Sequence, residues 1–148
     1  MIGYRTVPIG NSILYWDQIR DPIIECIEKG GLGIHTPELV YRNLMSGEWS
    51  LWIAEDSNCK VCSFMIVSIK PEQWAEIVYG YIKPSISKAS SKNIKVAMLY
   101  RIERAATLLG CKKILAYSSR EGMEKLLEPF NYQSKMTIYC KNLAKSND

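Results

Sequence analysis

Three strand-like runs follow one another between Trp49 and Lys83, then comes one long amphipathic helix, then another strand. This order constrains the fold more than any other feature of the chain. The first two runs lie in WSLWIAEDSNCKVCSFMIVSIK, where branched and aromatic residues flank Asp56-Ser57-Asn58, the composition of a β-hairpin. The third, WAEIVYGYIK, is closed by Pro84. In NIKVAMLYRIERAATLLGC, the residues Ile94, Met98, Ile102, Ala105 and Leu109 form one apolar stripe, and Gly110 is placed to end the helix. A buried-type strand KKILAYSS, a short helix REGMEKLLEPF stopped near Pro129 and a last strand KMTIYCKNL follow. Antiparallel strands that lead into a strand–helix–strand unit predict an α/β (α+β) fold, with a mixed, mainly antiparallel sheet and helices on both faces.

Two helices are expected ahead of the hairpin. In SILYWDQIRDPIIECIEKGG, Ile19, Ile23, Ile24 and Ile27 recur at helical spacing, Gly30-Gly31 ends the pattern, and Pro22 marks a break or a fresh first turn. In HTPELVYRNLMSGEW, Thr36 can cap, Pro37 suits the first helical position and Gly47 stops the helix. Glu55 and Asp56 read as turn residues.

A length of 148 residues suits a single domain, 1–148, and a hydrophobic fraction of 47% is that of a folded globular chain. No apolar run approaches the ~18 residues a membrane helix needs, and the start of the chain lacks the pattern of a secretory leader. A soluble intracellular protein is therefore expected. The net charge of +4 permits an anionic ligand but does not argue for nucleic acid. Lys83, Lys88, Lys92, Lys95, Lys112 and Lys113 can make a basic edge, yet no nucleic-acid motif accompanies them. Five cysteines at scattered spacing do not form a disulfide framework. Cys59 and Cys62 have CxxC spacing, but there is no second pair and His35 is the only histidine, so no metal is expected. His35 itself reads as a surface or cap-region residue, and Trp16, Trp49, Trp52 and Trp74 mainly as core.

The stretch SISKASSKNIKVAMLY, between the third strand and the long helix, occupies a place where α/β folds often hold a phosphate on a glycine-rich turn. Here there is no glycine. Ser90 and Ser91 offer hydroxyls, Asn93 tolerates unusual backbone angles, and Lys88, Lys92 and Lys95 bring positive charge. Two readings stay open: a diphosphate site, or a solvated loop whose serines cap the helix.

The order of elements, with LMSGEWSLWIAED, RIERAATLLGCKKILAYSS and REGMEKLLEPFNYQSKMTIYCKNL, resembles the GNAT acetyltransferase superfamily from about Ile13 to Leu143. More narrowly, SSREGMEKLLEPFNY is similar to divergent GNAT-like proteins common in tailed-phage genomes. The resemblance implies a single GNAT-like domain that transfers an acetyl group from acetyl-CoA to an amine. The acceptor, a small molecule or a protein, is unidentified. It implies that Ile82, Lys83, Ser90, Ser91, Lys92, Asn93 and Arg120 meet acetyl-CoA, with the pyrophosphate on the helix start. The family's signature glycines are absent at this loop, and Asn131-Tyr132 stands where Gly-Phe is usual. Glu76, in the strand before the loop, is the implied base, against the plainer reading of a strand residue facing water. The tyrosine that protonates the leaving thiolate falls near Leu126-Leu127, and nothing places Tyr132 or Tyr139 there. Tyr15 and Trp16 fall where the family builds its acceptor-side wall. The alternative is a GNAT fold without catalysis, a binding or structural protein. A homo-oligomer or a phage protein as partner, and host cytoplasm or virion as location, belong to these readings.

Overall fold

The computed structural model describes residues 1–30, 34–116, 127–133, 139, 141 and 143. The chain divides into two compact units, Met1–Tyr117 and Ser118–Asp148. The first is built on a five-stranded sheet in the order β1 (Gly3–Val7), β2 (Ser50–Glu55), β3 (Val61–Ile69), β4 (Trp74–Ile82) and β5 (Lys113–Ala116). The first three pairings are antiparallel and β4 with β5 is parallel, so the sheet is mixed and mainly antiparallel. Helices α1 (Trp16–Gly30) and α2 (Pro37–Ser46) cover one face, and α3 (Lys88–Leu108) packs on β2, β3 and β4 from the other.

Cross-strand partners share a face of a sheet, so the register assigns each side chain. Val7, Leu51, Ile53, Phe64 and Ile66 face α1 and α2, where Ile19, Ile23, Val40 and Leu44 complete a core of nine residues, none more than 5% exposed. On the other face, Ile94, Met98, Leu99, Ile102 and Ala106 are the buried residues of α3, and Ser63 Oγ lies 3.5 Å from Met98 Sδ. With helices on both sides, β3 is buried from Cys62 to Ser68, which is why its sequence is a continuous apolar run rather than an alternation.

Local chemistry sets the ends of the elements. Thr36 Oγ1 accepts the Leu39 N–H at 3.2 Å, Pro37 opens α2, and Gly47 closes it at φ 83°. In the hairpin, Asp56 Oδ1 accepts the N–H groups of Asn58 and Lys60, at 2.8 and 3.0 Å, and Cys59 takes a positive φ of 59°. Asp56 is thus a turn residue as expected. The Lys60 N–H is the leading reason that its carboxyl is held below the ordinary carboxylate range. The end of α3 is a Schellman motif: Gly110, at φ 79°, donates to Thr107 O, and Cys111 donates to Ala106 O.

Several expectations need correction. β1 was not anticipated; it is short, and its apolar content is confined to Val7 and Tyr4. The first helix is a 3-10 turn, Asn11–Leu14, followed by α1, which runs through Pro22 without a break. A proline there forfeits one helical hydrogen bond, and full burial of Ile19 and Ile23 on either side offsets that loss. The stripe on α3 ends at Ala106, not at Ala105 and Leu109; steps of four from Ile94 reach Ala106, and Leu109 is 46% exposed. Glu55 ends β2 and pairs with Arg5 at 2.8 Å instead of entering the turn. All four tryptophans are half-buried. The lysines do not form one edge. Lys113 pairs with Trp74 at the start of β4 and Lys83 follows its end, so roughly 30 Å of strand separates the two groups.

In the second unit, a 3-10 turn at Glu128–Phe130 leads to Asn131 at φ 64°, whose N–H donates to Glu128 O at 2.9 Å. Asparagine is, after glycine, the residue that best tolerates this left-handed conformation. Arg120, with seven of the eleven residues of the expected closing helix and six of the nine of the expected last strand, lies outside the described residues.

Candidate functional site

The stretch after β4 is shorter as a loop than its sequence suggests. Ile86 N–H donates to Lys83 O, Ser87 caps, and α3 begins at Lys88, five residues before Asn93. Ser90, Ser91, Lys92 and Asn93 are therefore the third to sixth residues of the helix. Ser87 takes two of the first N–H groups: its Oγ accepts from Ser90 at 3.2 Å and its carbonyl from Ser91 at 2.8 Å. The N–H groups of Lys88 and Ala89 have no acceptor among the described residues and open toward the solvent at the positive end of the helix dipole. Lys88, Lys92 and Asn93 are exposed around them, and Ser91 is half-buried. Ile82 closes β4 opposite Ser63, and Lys83 N–H donates to Cys62 O at 2.9 Å. The arrangement can hold an anion.

Glu76 lies in the middle of the sheet, half-buried, with Oε1 accepting the indole N–H of Trp74 at 2.7 Å. It pairs with Ser68 and so lies on the same face of the sheet as α1 and α2. Two residues later the ladder slips. Ile77 pairs with Val67 but Tyr79 with Ile66, leaving Val78 as an extra residue, a β-bulge. The bulge turns Tyr79 and Tyr81 to the same face as Glu76. Parallel pairing with β5 reaches Ile77, just before this point, among the described residues.

Tyr79 meets His35 there. The hydroxyl lies 2.5 Å from His35 Nδ1, and the rings meet edge to face with centroids 5.6 Å apart. Trp49 also packs edge to face against the imidazole, with ring centroids 5.3 Å apart. Burial holds His35 below its ordinary value and pushes Tyr79 up to about 12, with the Cys26 thiol adding to the latter. His35 does stand in the cap region, one residue before Thr36, but it is half-buried against Tyr79 and Trp49 rather than on the surface. Its partner is 44 residues away, and nothing local in the chain signals the pair.

Ile13, Trp16, Asp17 and Arg20, from the 3-10 turn and α1, and Glu38 and Tyr41 of α2 line an open groove of about 410 Å3. Trp16 stands edge-on to Tyr41, centroids 4.9 Å apart. Tyr15 turns away, its hydroxyl accepting from the Arg5 guanidinium. Cys59 is exposed in the hairpin turn, whereas Cys62 is buried with Sγ donating to Ala54 O, and no cluster of three metal-ligating side chains occurs among the described residues. No described helix is long and apolar enough to cross a membrane.

No family model and no curated protein matches the chain. Solved structures do. A predicted acetyltransferase from Clostridium acetobutylicum, solved with acetyl-CoA, is similar over 96% of both chains at 18% identity and a TM-score of 0.67. A putative acetyl transferase from Pyrococcus furiosus is similar over 95% of this chain and 100% of its own, at 19% identity and a TM-score of 0.69. The aminoglycoside N-acetyltransferase AAC(6')-Iy, in complex with the bisubstrate analog CoA-S-monomethyl-acetylneamine, is similar over 97% of this chain and 99% of its own, at 13% identity and a TM-score of 0.70. Matches of this extent at such low identity establish architecture, and the architecture of this chain is the GNAT acetyltransferase fold.

Proposed function

We propose that residues 1–148 act as one domain, an N-acetyltransferase that moves an acetyl group from acetyl-CoA to an amine. The observation that carries this reading is the open, basic start of α3 directly after β4, in a fold whose solved neighbours include complexes with acetyl-CoA and a CoA bisubstrate analog. The residues present suit the cosubstrate. The N–H groups of Lys88 and Ala89 and the ammonium groups of Lys88 and Lys92 supply donors and charge for a diphosphate, without glycines. Ser90, Ser91 and Asn93 on the same turns, and Ile82 and Lys83 at the strand end, complete the proposed contacts.

Acetyl-CoA supplies a thioester carbonyl, and this chain supplies position and proton transfer. An amine reaches the site mostly as an ammonium ion and must lose a proton before its nitrogen can attack. Glu76, oriented by the Trp74 indole and open at its second oxygen, takes that proton. The groove at Trp16 and Tyr41 suits the acceptor. Its aromatic walls and the carboxylates of Asp17 and Glu38 favour a cation, with Arg20 as the single opposing charge.

The test is calorimetric titration of the purified protein with acetyl-CoA, followed by thiol release with neamine and an alanine-initiated peptide as acceptors. Saturable binding and turnover of either amine support the reading. Absence of binding and of any thermal shift at millimolar acetyl-CoA rejects it and leaves a non-catalytic GNAT fold.

A further inference from the structure

Amide formation from an ammonium ion releases two protons, one before the attack and one as the C–N bond forms, and Glu76 accounts for only the first. We propose that Tyr79 and His35 form a two-residue proton relay that takes the second. This inference rests on the acetyltransferase reading above and assigns a further chemical role within that same site.

Three observations carry it. The hydroxyl of Tyr79 and Nδ1 of His35 are in hydrogen-bond contact at 2.5 Å. The bulge at Val78 puts Tyr79 on the face of Glu76, one strand position past the end of the described β4–β5 pairing. And the imidazole is held rather than free, with Trp49 packed edge-on against it and α2 capped immediately after it by Thr36. The directions of titration agree: a histidine lowered by burial is neutral near pH 7 and can accept, and a tyrosine raised to about 12 keeps its proton to give. The other titratable groups that face the pair are Cys26 of α1, and Glu76 and Tyr81 along β4, with Glu25 and Lys29 of α1 beside Tyr81.

The step balances. The lone pair of the neutral amine forms the C–N bond, and the C–S bond breaks with its electron pair on sulfur. The nitrogen's surplus proton passes to Tyr79 Oη while the hydroxyl proton of Tyr79 passes to His35 Nδ1. The imidazolium then returns its proton through solvent to the thiolate. The proton taken earlier by Glu76 is the one released to bulk. The relay requires that Tyr79 donate to an unprotonated Nδ1, with the ring proton of His35 on Nε2.

That requirement can be read without substrate. Nitrogen-15 shifts of the single histidine in the wild-type protein are expected to show a bare Nδ1 and a protonated Nε2 at pH 7.5, with Nδ1 changing in Tyr79→Phe. A proton resident on Nδ1 overturns the relay whether or not the protein is an enzyme. The second measurement is kcat/KM against pH with acetyl-CoA and neamine or the alanine-initiated peptide. Tyr79→Phe and His35→Gln are expected to lower kcat about 100-fold at unchanged acetyl-CoA affinity, and His35→Gln to abolish the acidic limb that His35 sets. Turnover with an unaltered pH profile in both folded variants overturns the relay and leaves the transferase standing. No binding of acetyl-CoA by the wild type overturns both.

Discussion

Glu76 and Tyr79 stand three residues apart on β4 and face the same side of the sheet. In a regular strand, residues three apart point to opposite faces. The extra residue Val78 cancels that alternation, so one bulge gathers a carboxylate and a hydroxyl over the face that α1 and α2 cover. His35 then arrives from the segment ahead of α2 and closes a hydrogen bond to the hydroxyl. The polar groups of the candidate site thus come from a strand irregularity and a capped helix start, two places where regular secondary structure is interrupted.

Deleting Val78 tests the bulge directly. Without it, Tyr79 follows Ile77 directly and the ladder to β3 becomes regular with the same partners, so Tyr79 and Tyr81 keep the core face beside Glu76. The expected result is a folded protein that loses about 1–3 kcal/mol with the Val78 packing, against under about 1.5 kcal/mol for Val78→Ile, which keeps the residue count. Urea denaturation of the two variants beside the wild type measures the difference.

Lys92→Glu should weaken acetyl-CoA binding about tenfold or more. The exposed ammonium lies on the second turn of α3, and reversing its sign beside a diphosphate removes a charge-assisted contact worth roughly 1.5–3 kcal/mol. Calorimetry in low and high salt checks it, with the difference between the proteins shrinking as salt rises.

Glu76→Gln keeps the shape and the acceptor for the Trp74 indole but loses the base. Turnover is expected to fall by a factor of about 100 or more while acetyl-CoA affinity stays within twofold of the wild type. Recovery of much of the rate at high pH, where the acceptor is already neutral, identifies the lost step as deprotonation of the ammonium.

The pH dependence of stability follows from His35. Its value in the folded protein lies below the 6.5 of an exposed imidazole, because burial disfavours the charged ring. As pH falls below 6.5, the unfolded chain takes up this proton first, so stability is full above 6.5 and declines as pH drops toward the lowered value. His35→Gln removes that proton uptake. Stability of the wild type should therefore fall more than that of the variant between pH 7.5 and 5, as read from urea midpoints at the two values.

The helices, the turns and the β2–β3 hairpin are legible in the chain because each rests on contacts between residues close in sequence, and the mixed sheet is legible from the order of its elements. Thr36-Pro37 and Gly47 bound α2, Asp56 folds the hairpin turn, and Ile94, Met98 and Ile102 mark the buried stripe of α3. The start of α3 was less legible, because Ser87 competes for the role of cap with serines and an asparagine that follow it, and only the realised hydrogen bonds show which residue won. β1 was missed because two apolar residues in five carry no period. The face of Tyr79 and its bond to His35 could not be read at all. A bulge depends on how two strands settle against each other under the competing demands of α1 and α3, and a contact across 44 residues exists only once the sheet and both helices are in place. Sequence by itself determined α2, α3 and the strands β2 to β5. Tertiary structure decided which polar groups meet, because that depends on register, and register is a property of packed strands.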